Sequence, residues 1–410
     1  MGENMVTEGA TAARAVNAMT ANWTREAVHQ GGTVLTAAGV WPALALLADA
    51  ADGPARRELE EALGIGAETA LAHGRYLLTA LGELPGVDTA LGLWTREELP
   101  LRPEWLSRLP LETHGTLTGD VDADLERMNA WAARHTDGLI EKMPPVVDPD
   151  TLLVLATALV VRTTWRQPFD PSVTAPRHGP WAGRTLAGLH RTGPLSDEIG
   201  VAHTPDGPLT VLRVEGDSGL DVHLLLDAEG APGGQVLRAG VAALGGAYPT
   251  TAGEALPTGV PGPGLTVETV ASWAGTPVLR VAAVPFTVDG DHDLLDHAPL
   301  FGLRSARNAS RGHFPGISDA PLAISAARQS ATATFGALGF RAAAVTALAA
   351  APGGVPPTPP HRAKLVHARF DRPFGFLAVH RASGLVLMAG WVSEPEEYRE
   401  RLLPGMHISH

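Results

Sequence analysis

Along the first third of the chain, apolar residues return every three to four positions. Ala12, Val16, Met19, Trp23 and Ala27 do so over residues 12–27, the spacing of an amphipathic helix. Residues 32–35 read as a short strand, and Pro42 opens an apolar helix that stops at Asp52-Gly53. Pro54 opens a charged helix over 56–63, closed by Gly64. A strand is predicted over 87–94, a short helix over 103–109, and an amphipathic helix over 125–135 that ends at Asp137-Gly138. At 152–161 the pattern changes to an unbroken apolar run, the signature of a strand buried on both faces. Strands separated by Gly, Pro and Asp follow at 209–214, 220–226, 265–270 and 278–286, with helices predicted at 234–244 and 291–300. Helices early and strands late predict a mixed α+β protein. No repeat period is visible, and the Pro/Gly-rich stretch 247–264 reads as a loop within one domain spanning 1–410.

A second change of pattern lies near the C-terminus. Gly339 and Phe340 are followed by Arg341, Ala342, Ala343, Ala344, Val345 and Thr346, then by more small residues through Ala350 and Ala351, and then by a proline-rich stretch at 352–360. The apolar segments after it, 364–367, 374–379 and 384–392, read as core strands and must return to the main body. The small-residue stretch is therefore expected to bridge two buried parts of one fold as an exposed excursion, and loops of that length usually carry function or disorder. Taken alone, the alanines favour an ordinary helix.

Composition narrows the function classes. With 45% hydrophobic residues in 410, a large core is possible. A formal net charge of -13 argues against a nucleic-acid partner. Zero cysteines exclude disulfides, thiol nucleophiles and thiolate metal sites. The 152–161 run is too short to cross a membrane, and no basic-then-apolar leader opens the chain, so a cytoplasmic location is expected, with export left open. Lys142 and Lys364 are the two lysines among many arginines, which reads as a GC-rich bacterial genome.

Several motifs, in order, carry a resemblance. Asn129-Ala130-Trp131 with Thr136-Asp137-Gly138-Leu139-Ile140 is similar to an Asn-x-Trp helix closed by Thr-x-Gly-x-Ile. The 153–161 run leads to Trp165-Arg166-Gln167-Pro168-Phe169. Phe314-Pro315-Gly316-Ile317-Ser318 follows, then Phe370-Asp371-Arg372-Pro373-Phe374-Gly375-Phe376 and a closing strand with Gly390. Together they resemble the serpins, a family of serine protease inhibitors. The resemblance implies an α+β fold of three β-sheets and about eight or nine helices, with an exposed reactive-centre loop at about 337–363. It also implies a monomer without cofactor or metal, consumed as a suicide inhibitor of a serine or cysteine protease. The protease cleaves the loop, which then inserts into the central sheet as a new strand and traps the acylated protease. Ala342, Ala344 and Thr346 would face inward at period two. The rival expectation is a non-inhibitory member that serves as a binding or structural protein.

The chain departs from the family pattern in three places. Phe340 and Arg341 stand where the resemblance implies a small residue and a Glu after the hinge Gly339, and Ala337 replaces an acidic residue. A ring entering a packed sheet is expected to cost ~1–3 kcal/mol and to slow insertion, which favours a substrate over an inhibitor. The family's polar cluster beneath the opening sheet falls on Thr36, Gly39, Thr157 and Gln329. Finally, the loop carries extra residues. Counting forward from the hinge puts the scissile bond near Gly353-Gly354; counting back from Phe370 puts it near Arg362-Ala363. Ala350-Ala351 suits an elastase-like protease. Extended, Gly339 to Gly353 spans roughly 50 Å and Gly339 to Arg362 nearly ~80 Å, so only the shorter tether would press a protease against the far end.

Other chemistry is weak. His292, Asp293, Asp296 and His297 lack a metal spacing and read as a solvated helix face, and no hydrolase or phosphate-binding motif occurs.

Overall fold

The computed structural model describes residues 2–28, 31–142, 147, 148, 150–340 and 360–398, with backbone alone for 2–8. Among these are seven α-helices, one short 3-10 turn and three β-sheets, the expected mixed α+β architecture. The core runs from Ala12 to Val392.

Most of the helices form where the apolar period placed them, with differences. The apolar helix starts earlier, at Ala37–Ala50, because Thr36 caps it by accepting the Gly39 N–H at 3.2 Å. A further helix, Ala67–Glu83, buries Ala70, His73, Gly74, Leu77 and Leu81. An ideal Cβ on Gly74 would stand 3.1 Å from that of Ala45, so a small residue lets the two helices approach. The charged helix Gly53–Leu63 ends at Gly64, whose φ of 73° is the left-handed cap glycine tolerates.

The central sheet runs in the order His114–Leu117, Val87–Arg96, Leu153–Val161, Ala326–Phe335, Gly339–Phe340, Thr163–Thr164, with Phe286–Asp293 paired to the other edge of Ala326–Phe335. Every residue of Leu153–Val161 is buried, as its unbroken apolar run predicts. Its outer face carries the helix Val121–His135 through a separate cluster of Trp94, Met128, Trp131, Val154 and Ala156. The predicted helix at 291–300 is absent. Asp291, His292 and Asp293 instead extend Phe286–Asp293 by pairing with Ser330, Gln329 and Arg328, and turns follow.

A second sheet, of seven strands, packs beneath the central one and includes Thr33–Leu35, Leu385–Val392, Phe374–His380 and Leu220–Leu226. The third has five strands in the order Leu265–Ser272, His361–Arg369, Val278–Ala283, Leu186–Pro194, Asp170–Thr174.

Candidate functional site

The two central strands are parallel neighbours, paired from Ala326↔Val154 to Ala331↔Leu159. Beyond that point they part. After Phe335 the chain turns back through 336–338, closed by the Gly336 N–H donating to the Gly339 carbonyl at 2.9 Å. Gly339 and Phe340 then lie between the strand ends. Phe340 pairs with Phe335 on one side and with Thr163 on the other. The hinge is thus already a stub of strand lodged in the mouth of the sheet.

Each neighbour of the stub has a reason to be there. An ideal Cβ on Gly339 would collide with the Thr163 carbonyl oxygen, so only glycine fits. Trp165 clasps the turn twice, its backbone N–H donating to Leu338 O and its indole N–H to Gly336 O, both at 2.9 Å. The Phe169 N–H donates to Ala337 O at 2.8 Å. Asp217 holds the far side by accepting from the Thr164 hydroxyl at 2.7 Å and the Thr163 hydroxyl at 3.3 Å. Those hydrogen bonds, that of Thr164 foremost, keep its carboxyl below the usual range.

Phe340 is fully buried, its ring centroid 6.1 Å from that of Phe376. Phe376 lies 4.9 Å from Phe286, which stacks on Phe335 at 5.3 Å. The expectation that this ring must displace packed neighbours therefore changes: the intact protein already provides its seat. With Phe340 facing the core, period two places positions 342, 344 and 346 on the same face of any continuation.

Below the stub the polar residues picked out by register do meet. Gln329 is fully buried and pairs across the sheet with Thr157, and its side-chain oxygen accepts from the Thr36 N–H at 3.4 Å. Gly39 adjoins Thr36 and Leu159. The Thr157 hydroxyl reaches Arg328 O at 3.5 Å, and the Gln329 amide nitrogen has no partner among the described residues. His292, opposite Gln329, adds a contact that sequence reasoning missed. Its Nε2 lies 3.0 Å from Val34 O and 3.2 Å from the Thr33 hydroxyl, and burial lowers its pKa.

The other groups of that segment, expected together on a solvated helix face, scatter. Asp293 pairs with Arg328 at 2.9 Å and His297 with Glu26 at 3.4 Å. No group of three or more potential metal ligands occurs among the described residues, and no helix there is long and apolar enough to cross a membrane.

The expected loop 337–363 is built into sheets at both ends. Ala337 lies in the turn before the stub, Gly339 and Phe340 form the stub, and Arg362 and Ala363 belong to the strand His361–Arg369. Arg362 pairs with Ala271 and Ala363 with Val270, and Ala363 is buried. The Arg362–Ala363 bond thus lies inside a paired strand. Arg341, Ala342, Ala343, Ala344, Val345, Thr346, Ala350, Ala351, Gly353 and Gly354 lie outside the described residues.

A family profile described as serpin (serine protease inhibitor) matches residues 12–178 and 264–395. The chain belongs to the serpin family. A putative serpin-Z8 of Oryza sativa subsp. japonica is 27% identical over 397 residues, covering 87% of this chain and 89% of the relative. The putative serpin-Z12 of the same plant is 35% identical over 147 residues, only 33% of this serpin and 35% of the relative's length. Among solved structures, a thyroxine-binding globulin in complex with thyroxine superposes with a TM-score of 0.70 at 17% identity, over 94% of this chain and 99% of that one. At that identity the likeness speaks for the serpin fold alone.

Proposed function

We propose that this serpin is a suicide-substrate inhibitor of serine or cysteine endopeptidases. The observation that carries the reading is the hinge: Gly339–Phe340 sits between the parting ends of the central strands, pointing into the sheet. Residues 342–346, small and uncharged, would extend that stub directly. Each step inward exchanges a parallel strand pair for two antiparallel ones, a favourable trade per residue. The stub also shortens the journey, since one inserting position is filled before cleavage. Ala350-Ala351 and Gly353-Gly354 remain as baits; Arg362-Ala363 is disfavoured by its pairing in the third sheet.

One observation favours a non-inhibitory serpin that acts as a binding protein. The Phe340 ring makes the hinge a fixed part of the core, and a fixed hinge can hold the loop as well as launch it.

Incubation with trypsin and with elastase separates the readings. Inhibition predicts a covalent adduct stable in SDS and a rise in thermal stability after cleavage. Mass spectrometry of the released C-terminal peptide identifies the bond. Cleavage that yields neither adduct nor stabilisation rejects the inhibitory reading in favour of the binding one.

A further inference from the structure

Of the chain's nine tryptophans, eight are buried or half-buried and one, Trp273, is 58% exposed. Exposure alone decides nothing, since single apolar residues are common on protein surfaces. Position decides here. Trp273 stands on the turn between Leu265–Ser272 and Val278–Ala283, the two strands that flank His361–Arg369. Its neighbour Ser272 pairs with His361, the first residue of that strand, so the indole is carried beside the point where the chain enters the third sheet. The turn has a fixed shape. The Gly275 N–H donates to the Ser272 hydroxyl oxygen at 3.2 Å, Gly275 takes a φ of 67°, and an ideal Cβ on it would stand 3.3 Å from that of His361. Covering an indole on so ordered a turn costs little further entropy. No charged residue occurs from Thr269 to Leu279. Beside this neutral stretch Arg362 is exposed and pairs with Ala271. It donates to Thr269 O at 3.2 Å and has no carboxylate partner among the described residues, so donors remain for another molecule.

We propose, resting on the reading that an endopeptidase cuts between 341 and 360, that Trp273 and Arg362 form a second contact for that protease, made on its body outside the cleft. Tryptophan and arginine are the residue types that most often dominate such contacts. The partner they fit is an endopeptidase with an apolar patch next to a carboxylate, on the side of its cleft that holds the residues after the cut bond. Reach supports the assignment. Extended, residues 354–361 span at most roughly 25 Å and residues 351–361 roughly 35 Å. A protease of about 250 residues has a radius of gyration of ~18 Å, hence a face ~45 Å across with half of it on that side. Such a face covers the turn when Gly353-Gly354 is cut. For Ala350-Ala351 it does so when the connecting chain is less than fully extended.

The test uses the full-length protein as a substrate of elastase and reads kcat and KM for the first cut between 341 and 360. Trp273→Ala is expected to lower kcat/KM at least about fivefold, the loss that marks an interface anchor, with the same bond cut and the same Tm. The loss should appear in KM with kcat unchanged, because the contact is made equally before and during the chemical step. Trp273→Phe should recover most of it. Leu111→Ala, which removes another apolar side chain (97% exposed) on the connection before His114–Leu117, should change nothing. Arg362→Gln should raise KM and weaken its dependence on salt. A Trp273→Ala protein cleaved as fast as wild type overturns the contact, and an Arg362→Gln protein with wild-type KM overturns its charged half. Slowed cleavage of Trp273→Ala, with no SDS-stable adduct in wild type, rejects the suicide reading and keeps the contact. An adduct formed equally fast by both proteins rejects the contact and keeps that reading. No cut between 341 and 360 in wild type rejects both.

Discussion

The rings of Phe340 and Phe376 stand 6.1 Å apart, one on the hinge of the central sheet and the other on the sheet beneath. This pair joins the mouth of the central sheet to the core. Both rings are fully buried, so the hinge carries packing energy in the intact protein. Phe340→Ala is expected to lower unfolding free energy by ~3–5 kcal/mol, the usual range for a buried Phe truncation. If Phe340 keeps its seat after cleavage, the cleaved variant loses the same amount and the stabilisation gained on cleavage is unchanged. Paired thermal melts of intact and cleaved protein check this; a loss confined to the intact form would mean that the ring moves.

Gly339 tests the stub from the backbone side. Gly339→Ala places a methyl against the Thr163 carbonyl, and relief requires the stub to leave the sheet or the Thr163–Thr164 strand to shift. Overpacking of this kind costs ~1–3 kcal/mol. Because Trp165 binds the turn through Leu338 O and Gly336 O, its fluorescence reports the move. A red-shifted emission with new proteolytic cleavage close to residue 340 is expected. Unchanged emission and cleavage would show that glycine is dispensable there.

Much of this was legible in the residues, for physical reasons that differ by element. The run over 153–161 announced a strand buried on both faces because no polar residue but Thr157 interrupts it. Thr36, Gly39, Thr157 and Gln329 could be brought together by register because each sits on a regular element or, for Thr36, caps one. The helix Ala67–Glu83 was missed: its glycines at 74 and 82 weaken the helical signal, and the spacing of Ala70, Leu77 and Leu81 was its trace. Asp291–Asp293 was misread because acidic and histidine side chains suggest a solvated helix, whereas pairing with Arg328, Gln329 and Ser330 makes it strand. The seat of Phe340 and the place of His361–Arg369 between Leu265–Ser272 and Val278–Ala283 depend on pairings across long sequence separations, which local pattern does not carry.

Histidines give the protein a pH-dependent stability with a defined sign. Burial pushes the His223 imidazole down to about 4, with Asp221 pulling it up and Arg213 pushing it further down. Unfolded, it titrates near its ordinary value of about 6.5. Between those values the unfolded chain binds a proton that the folded chain refuses, so this contribution is present above pH ~6.5 and is lost as pH falls toward 4. His292 acts in the same direction through burial. Urea midpoints should therefore fall between pH 7 and pH 4.5, and His223→Gln should flatten the fall. A variant with the wild-type pH slope would remove His223 from the account.

Arg191 and Glu198 form a buried ion pair at 2.9 Å near the mouth of the central sheet. Arg191 also donates to Gln167 O at 3.3 Å and lies 5.0 Å from the centre of the Phe169 ring, so it braces the segment that hydrogen-bonds Ala337. Burial raises the pKa of Glu198, and Arg191 opposes that rise. Arg191→Met strands a carboxyl in a site that favours its neutral form. The loss expected on breaking a buried pair is ~3–5 kcal/mol at neutral pH, smaller in acid where Glu198 can take up a proton. Replacing both partners, Arg191→Met with Glu198→Leu, removes the stranded charge and should recover most of the stability, since apolar substitutes for buried pairs are often neutral. A double-mutant cycle by urea denaturation measures the coupling. If the double variant is as unstable as the single one, the bracing contacts to Gln167 and Phe169 matter more than the charge. In that case the double variant should also show the red-shifted Trp165 emission of a loosened turn.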